Sequence, residues 1–324
     1  MKVFVAGGTG AVGSRLVPLL VNRGHDVVAT TRSADKIPAL RAMGADAVVV
    51  DGLDRHAIEA AVRAAGPEAI SHQMTALASM RSLKHFDREF ALTNRLRAEG
   101  SQYLVAAAVA VGVRRLVAQS YTGWPNPREG GRVKTEDDGL DPAPPRSMCA
   151  TLDAIRTLER TVMTAKGINP IVLRYGSFYG PGTPVGPGGE IFEAVRRRRF
   201  PIVGRGTGVW SFVHIDDVAL ATAMALEGGP PGVYNIVDDD PAEVSVWLPE
   251  LARVIDARSP ARVPEWIAQL MIGRAGVSMM TSIRGSSNAK ARRLLTWRPL
   301  YPTWRDGFSR EFGTPDRRTS AGES

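Results

Sequence analysis

The sequence predicts an α/β fold, a doubly wound parallel sheet covered by helices, with a smaller C-terminal α/β lobe. Two observations predict it. Short apolar runs alternate with amphipathic stretches through the first half of the chain, which is the rhythm of strand–helix–strand units. The first apolar run also passes straight into Gly7-Gly8-Thr9-Gly10-Ala11-Val12-Gly13, a glycine-rich turn placed between a strand and a helix.

Taken in order, residues 3–6 read as the first strand and 11–23 as the helix after it. Residues 26–30 read as a strand, 34–43 as a helix and 47–50 as the third strand. A helix over 58–65, a strand over 68–71, one long helix over 86–111 and a strand over 115–119 follow. The loop 124–145, rich in Pro, Gly and charge, breaks the rhythm before a helix at 152–165 and a strand at 170–174. Residues 180–189 hold too much Gly and Pro to sit inside an element. Beyond them the pattern is less regular: a helix over 190–199, short strands near 201–203 and 210–213, a helix over 216–226, a strand over 233–237 and helices near 246–255 and 265–273. The expected division is a nucleotide domain over 1–175 and a substrate lobe over 176–312 partly interleaved with its sheet, with a polar, disordered tail over 313–324.

The 324 residues and their 44% hydrophobic content allow a sizeable core. The single cysteine, Cys149, excludes a disulfide within the chain and a thiolate metal cluster. The N-terminus lacks the pattern of a signal peptide, and no run approaches the ~18 apolar residues of a membrane span, so a reducing cytoplasm is the expected setting and no membrane partner is expected. The net charge of +8 includes the run Arg196 to Arg199, which reads as the solvated end of a helix, where Arg suits the helix dipole. No zinc spacing or basic-aromatic platform points to nucleic acid.

The glycine turn carries the first chemistry. Glycines allow a tight turn and close approach of the backbone to a pyrophosphate, and the next helix aims free N–H groups and its positive end at the anion. Gly7, Thr9, Gly10, Ala11, Val12 and Gly13 therefore read as a Rossmann dinucleotide site, with a purely structural turn as the alternative. At the end of the second strand, Thr31, Arg32 and Ser33 offer hydroxyls and a cation, with no acidic residue to repel a 2′-phosphate. NADP(H) is accordingly expected over NAD(H). Asp51, with Gly52 and Leu53, follows the third strand and is placed to reach the adenine, or to make a turn.

Six ordered stretches together resemble the extended and atypical short-chain dehydrogenase/reductases, the group that includes NAD-dependent epimerases and dehydratases. They are the opening turn, Asn94 in the long helix, residues 173–182, Phe212-Val213-His214-Ile215-Asp216-Asp217-Val218-Ala219, Tyr234-Asn235-Ile236 and Leu295-Thr296-Trp297-Arg298-Pro299. The resemblance covers about residues 1–312. It implies that His72 and Gln73, at the end of the fourth strand, and Tyr175 line the cofactor, and that Asn94 belongs to the catalytic apparatus.

One departure bears on mechanism. The family's proton chemistry uses Tyr-x-x-x-Lys, whose Lys lowers the Tyr pKa. Counting back from Glu159 puts Thr151 and Ile155 at those two positions, and no Tyr lies between Tyr121 and Tyr175. Tyr121, at the end of the fifth strand, is the substitute proton donor, or else packs against the nicotinamide; Lys134 or Arg174 could lower its pKa if folded close. Ser120 and Thr122 are hydrogen-bonding candidates on the same edge.

The resemblance also implies a substrate site at Ser177 and Trp210, where family members that grip nucleotide-sugars carry Asn and Arg. With Met279 and Met280, Trp210 predicts an apolar wall, although methionines are as often ordinary core. His214, Cys149, Asp153 and Asp238-Asp239-Asp240 read as structural. Three functions stay open: an NADP(H)-dependent oxidoreductase of a small or medium organic substrate (a carbonyl or activated double bond), a redox-neutral epimerase, dehydratase or lyase that retains its nucleotide, and a dinucleotide sensor without turnover. Helices 86–111 and 150–165 are candidates for a homodimer contact by analogy with the family.

Overall fold

A computed structural model describes residues 1–77 and 84–313. The tail expected over 313–324 falls outside the described residues from 314 onward.

Strands β1 (Lys2–Ala6), β2 (Asp26–Thr31), β3 (Asp46–Val49), β4 (Ala69–His72) and β5 (Arg115–Tyr121) join strands Asn169–Tyr175 and Gly232–Ile236 in one seven-stranded sheet. Every pair is parallel. The chain winds outward from β1 through β2 to β3, then returns to the other side of β1 with β4 and β5. Val3 accordingly stands opposite both Val27 and Ala69. The reversal at β1 and β4 opens a crevice at the carboxyl ends of the strands, where ligands bind in sheets of this kind.

Both faces of the sheet are covered, as strands buried on two sides require. On one face, Leu16, Val17 and Leu20 of α1 (Gly13–Asn22) and Val218 and Ala221 of helix Ile215–Glu227 pack on Val3, Val5 and Leu173. Arg115 ties that face together by donating to the carbonyls of Ala225, Gly228 and Gly229 at the end of the Ile215–Glu227 helix. Helix α2 (Ile37–Ala42) begins after a tight turn at Ala34–Lys36, so the expected helix over 34–43 is shorter. On the other face lies α3 (Arg55–Ala65), capped where the Asp54 carboxylate accepts from Ala57 N at 3.0 Å.

The single helix expected over 86–111 is built from four pieces: α4 (Phe86–Glu89), α5 (Ala91–Arg95), a π-turn at Leu96–Gly100 and α6 (Ser101–Ala110). Their turns follow closely enough for apolar periodicity to read as one helix, whereas the wider π-turn shifts the direction of its side chains. Helix α7 (Cys149–Met163) packs beside them.

Strand Gly232–Ile236 rejoins the central sheet between the two stretches of chain that build a second core. There Trp247, Trp304, Phe212, Tyr179 and Phe308 are fully buried, with Tyr179 and Phe308 meeting edge to face at 5.3 Å. The helix expected over 265–273 ends at Gly273, whose φ of 69° and ψ of 179° are non-helical, and a second helical segment continues across that kink to Thr281. Among the described residues no helix is long and apolar enough to cross a membrane.

Candidate functional site

One cleft of about 1180 Å³ runs from the glycine turn, over the ends of β1, β4 and β5, to the second core. The turn at its head is tightly determined. Gly7 has φ of 97°, and a Cβ there would come within 2.8 Å of the Gln73 carbonyl oxygen. A Cβ on Gly13 would lie 2.3 Å from the Gly7 carbonyl oxygen, so helix α1 can start this close to the turn only with glycine. Thr30 pins the turn to β2: its Oγ1 accepts from Gly7 N at 3.1 Å and its carbonyl from Gly8 N at 2.9 Å. Among the described residues no side chain caps the N-terminus of α1. Thr9, Gly10, Ala11 and Val12 line the cleft there, while Gly13 lies behind them as packing.

Arg32 and Ser33 are exposed on the cleft wall beside buried Thr31, whose Oγ1 is shared with Thr9 and with Ser33 N. Lys36, one turn later, adds a second cation that sequence reasoning passed over; a basic residue a turn beyond Arg32 was the available signal. Gly52 lines the wall, but Asp51 and Leu53 do not. The Asp51 carboxylate instead accepts from Leu53 N at 3.0 Å, which makes the turn that was its alternative reading.

Gln73 lines the cleft, donating from Nε2 to Ser71 and Tyr175, while its buried Oε1 has no partner among the described residues. His72 and Tyr175, expected beside the cofactor, lie beneath the wall. The His72 imidazole bonds Ser101 at 2.9 Å, and burial pushes it down to about 4, so it is neutral at ordinary pH. Tyr175 is fully buried, with its hydroxyl 2.7 Å from that of Thr222.

Thr151 and Ile155, the positions of the missing pair, are both buried outside the cleft lining. Thr151 is held by the Asp87 carboxylate at 2.9 and 2.7 Å and receives the Asn94 amide at 3.0 Å. Asn94 is thus committed to packing α5 on α7 and does not reach the cleft. Ile155 sits in an apolar cluster with Phe86, Phe90 and Trp124. Ser120 lines the wall, but its hydroxyl donates to Glu159 at 2.7 Å, joining a buried ion pair in which Arg174 donates to both Glu159 oxygens.

Tyr121 does line the cleft, its hydroxyl 3.1 Å from that of Ser177. Burial pushes the phenol above its ordinary value, opposed by the Ser177 hydrogen bond and the positive charge of Arg97. Neither Lys134 nor Arg174 plays the part expected of it: Lys134 pairs with Asp138 and Arg174 with Glu159. Arg97 was missed by sequence reasoning because it reads as one more polar position of a helix. Around Tyr121 the wall is aromatic: Trp124 stacks at 6.4 Å from it, Phe86 lies 5.1 Å from Trp124, and Phe90 lies 4.4 Å from Phe86. Trp210 closes the other side, donating to the Met279 carbonyl at 2.9 Å, and Met279 and Met280 line the wall with it. His214 caps helix Ile215–Glu227, its Nδ1 accepting from Asp216 N. Among the described residues no cluster of His, Cys, Asp and Glu could hold a metal ion.

A dinucleotide fits these residues. The uncapped helix start suits a pyrophosphate, the two exposed cations suit a phosphate, and the orphaned Gln73 Oε1 lacks a donor.

Comparison with known proteins agrees with this geometry. Residues 3–237 match the family model described as NAD dependent epimerase/dehydratase. A 3-diazoavenalumate denitrifying reductase from Streptomyces sp is 42% identical over 96% of this chain and 100% of its own length. A 4-hydroxy-2-methyl-3-oxo-4-farnesyl-3,4-dihydroquinoline-1-oxide ketoreductase from Stigmatella aurantiaca is 27% identical over 92% of this chain and 86% of its own. Among solved structures, the Thermus thermophilus UDP-glucose 4-epimerase complex with NAD is 25% identical and superposes with a TM-score of 0.73, covering 96% of this chain and 98% of that one.

Proposed function

The chain belongs to the NAD-dependent epimerase/dehydratase family and is an NAD(P)-dependent oxidoreductase; from that premise we propose that it replaces the dinitrogen of an aromatic diazo compound with hydride. The observation that carries the reading is the fate of the two proton-transfer positions. Thr151 and Ile155 are buried outside the cleft, and the phenol that does face it, Tyr121, is held above its ordinary pKa. A carbonyl needs an acid at its oxygen as hydride arrives. A diazo arene does not: bound reduced nicotinamide supplies a hydride, the ring carbon gains it, and the carbon–nitrogen electron pair leaves with N2.

The chain's own residues then have binding work. The glycine turn holds the pyrophosphate, and Arg32 and Lys36, with Thr31 and Ser33, hold a 2′-phosphate, favouring NADP(H). Gln73 and the edge carrying Tyr121 and Ser177 meet the nicotinamide half. Trp124, Trp210, Phe86 and Met279 take the aromatic ring and exclude water. The denitrifying relative supports the same choice of reaction.

The test is direct. Purified protein with NADPH or NADH is given arenediazonium acids, and dinitrogen release and loss of absorbance at the nicotinamide band are followed against the enzyme-free rate. Deuterium carried from 4-deuterated NADPH onto the arene carbon is the expected result. Turnover of ketones or enones with no acceleration on any diazo compound would replace this reading with carbonyl or alkene reduction.

A further inference from the structure

Arg97 is 4% exposed, yet it lies on the wall of the cleft. Its Nη1 is buried without a hydrogen-bond partner, and no carboxylate pairs with it among the described residues. The Glu159 charge acts on it, but Glu159 is committed to Arg174 at 2.8 and 2.6 Å and to Ser120. Phe90 covers it, with the ring centroid 5.9 Å from the guanidinium carbon. The residue is carried on the π-turn Leu96–Gly100, the kind of helix defect that re-aims a side chain and recurs at functional sites. Among the described residues the other cations on the wall, Arg32, Lys36 and Arg199, are exposed.

A buried cation without an anion is costly, and the guanidinium fork matches an oxyanion. Burial pushes Arg97 down to about 10, which still leaves it charged at neutral pH. Resting on the reading of this cleft as the substrate site, we propose that Arg97 receives an anionic oxygen of an aromatic substrate. Such an oxygen, carboxylate or ring oxide, also offsets the positive charge of a diazo group, so the cleft needs no carboxylate of its own for that charge. Among the described residues the one carboxylate on the wall, Glu190, is exposed.

The experiment is calorimetric titration of NADP⁺-loaded protein with cinnamate, 4-nitrophenolate and neutral cinnamide. An anion is expected to bind at least tenfold more tightly than cinnamide. Preference for cinnamate identifies a carboxylate, and preference for 4-nitrophenolate identifies a ring oxide. Arg97→Gln is expected to lose that advantage while leaving cinnamide unchanged, and Arg97→Lys to keep part of it. Equal binding of anions and cinnamide by the unmodified protein overturns the proposal, even if Arg97→Gln fails to fold. So does full anion preference in folded Arg97→Gln. Arg97-dependent anion binding with no diazo turnover would overturn the proposed reaction and leave this site standing.

Discussion

The hydroxyls of Tyr121 and Ser177 lie 3.1 Å apart, joining the end of β5 to the short strand Ser177–Tyr179. Burial holds the phenol protonated at neutral pH, so it can donate a hydrogen bond but does not abstract a proton. Tyr121→Phe therefore separates two chemistries. Dinitrogen release should stay within about threefold of the unmodified enzyme, whereas any carbonyl reduction should fall by roughly 10²–10⁴. Steady-state rates on both substrate classes decide it. Equal collapse of both would give Tyr121 a part in hydride transfer itself.

The proposed preference for NADP(H) rests on Arg32 and Lys36. Each charge-assisted bond to a phosphate is worth about 1.5–3 kcal/mol, so Arg32→Ala should weaken NADPH about 10- to 100-fold. NADH should be little affected, and Lys36→Ala should act in the same direction. Nicotinamide fluorescence titration measures both; parallel loss of NADPH and NADH would remove the 2′-phosphate role.

The Glu159–Arg174 pair is buried between α7 and strand Asn169–Tyr175, with Ser120 as a third member. Removing one charge strands the other, at a cost of about 3–5 kcal/mol. Glu159→Ala should lower stability by that amount in urea unfolding, and Glu159→Leu combined with Arg174→Met should recover most of it. A single variant as stable as the parent would show that the pair contributes nothing to the fold.

Acid should weaken the fold through His72. Burial, reinforced by the Arg97 charge, holds its imidazole at about 4 when folded, against about 6.5 in an open chain. Above pH 6.5 neither state takes the proton and stability is complete. Between 6.5 and 4 the unfolded chain binds a proton that the folded one refuses, so stability falls by on the order of 3 kcal/mol. His72→Gln should flatten that segment of the stability–pH curve. An unchanged slope would place the acid sensitivity elsewhere.

Much of the architecture was legible because it rests on local patterning. Alternating apolar runs and the Gly7–Gly13 turn specify strands and helices residue by residue, and their order follows from the rules of parallel sheets. The place of the glycine turn in the cleft was legible for the same reason, since its residues are contiguous in sequence. The reacting end was not. Tyr121 and Ser177 come from separate strands, and Asn94 precedes the π-turn that carries Arg97. His72 and Tyr175 sit at strand ends next to residues that do face the cleft, and a strand's alternation decides between them.

By itself the sequence determined the parallel sheet, the glycine turn at the switch point and the loss of Tyr-x-x-x-Lys, all of them properties of residues close in the chain. Only the tertiary structure decided that Asp87 and Asn94 take up Thr151, that Phe86, Phe90 and Trp124 surround Tyr121, and that Arg97 is buried beside them with its Nη1 unpartnered among the described residues. The physical reason is that desolvation and pairing depend on which distant groups fill the space around a side chain. That space is assembled only when α4, α5 and α7 close together over the end of β5.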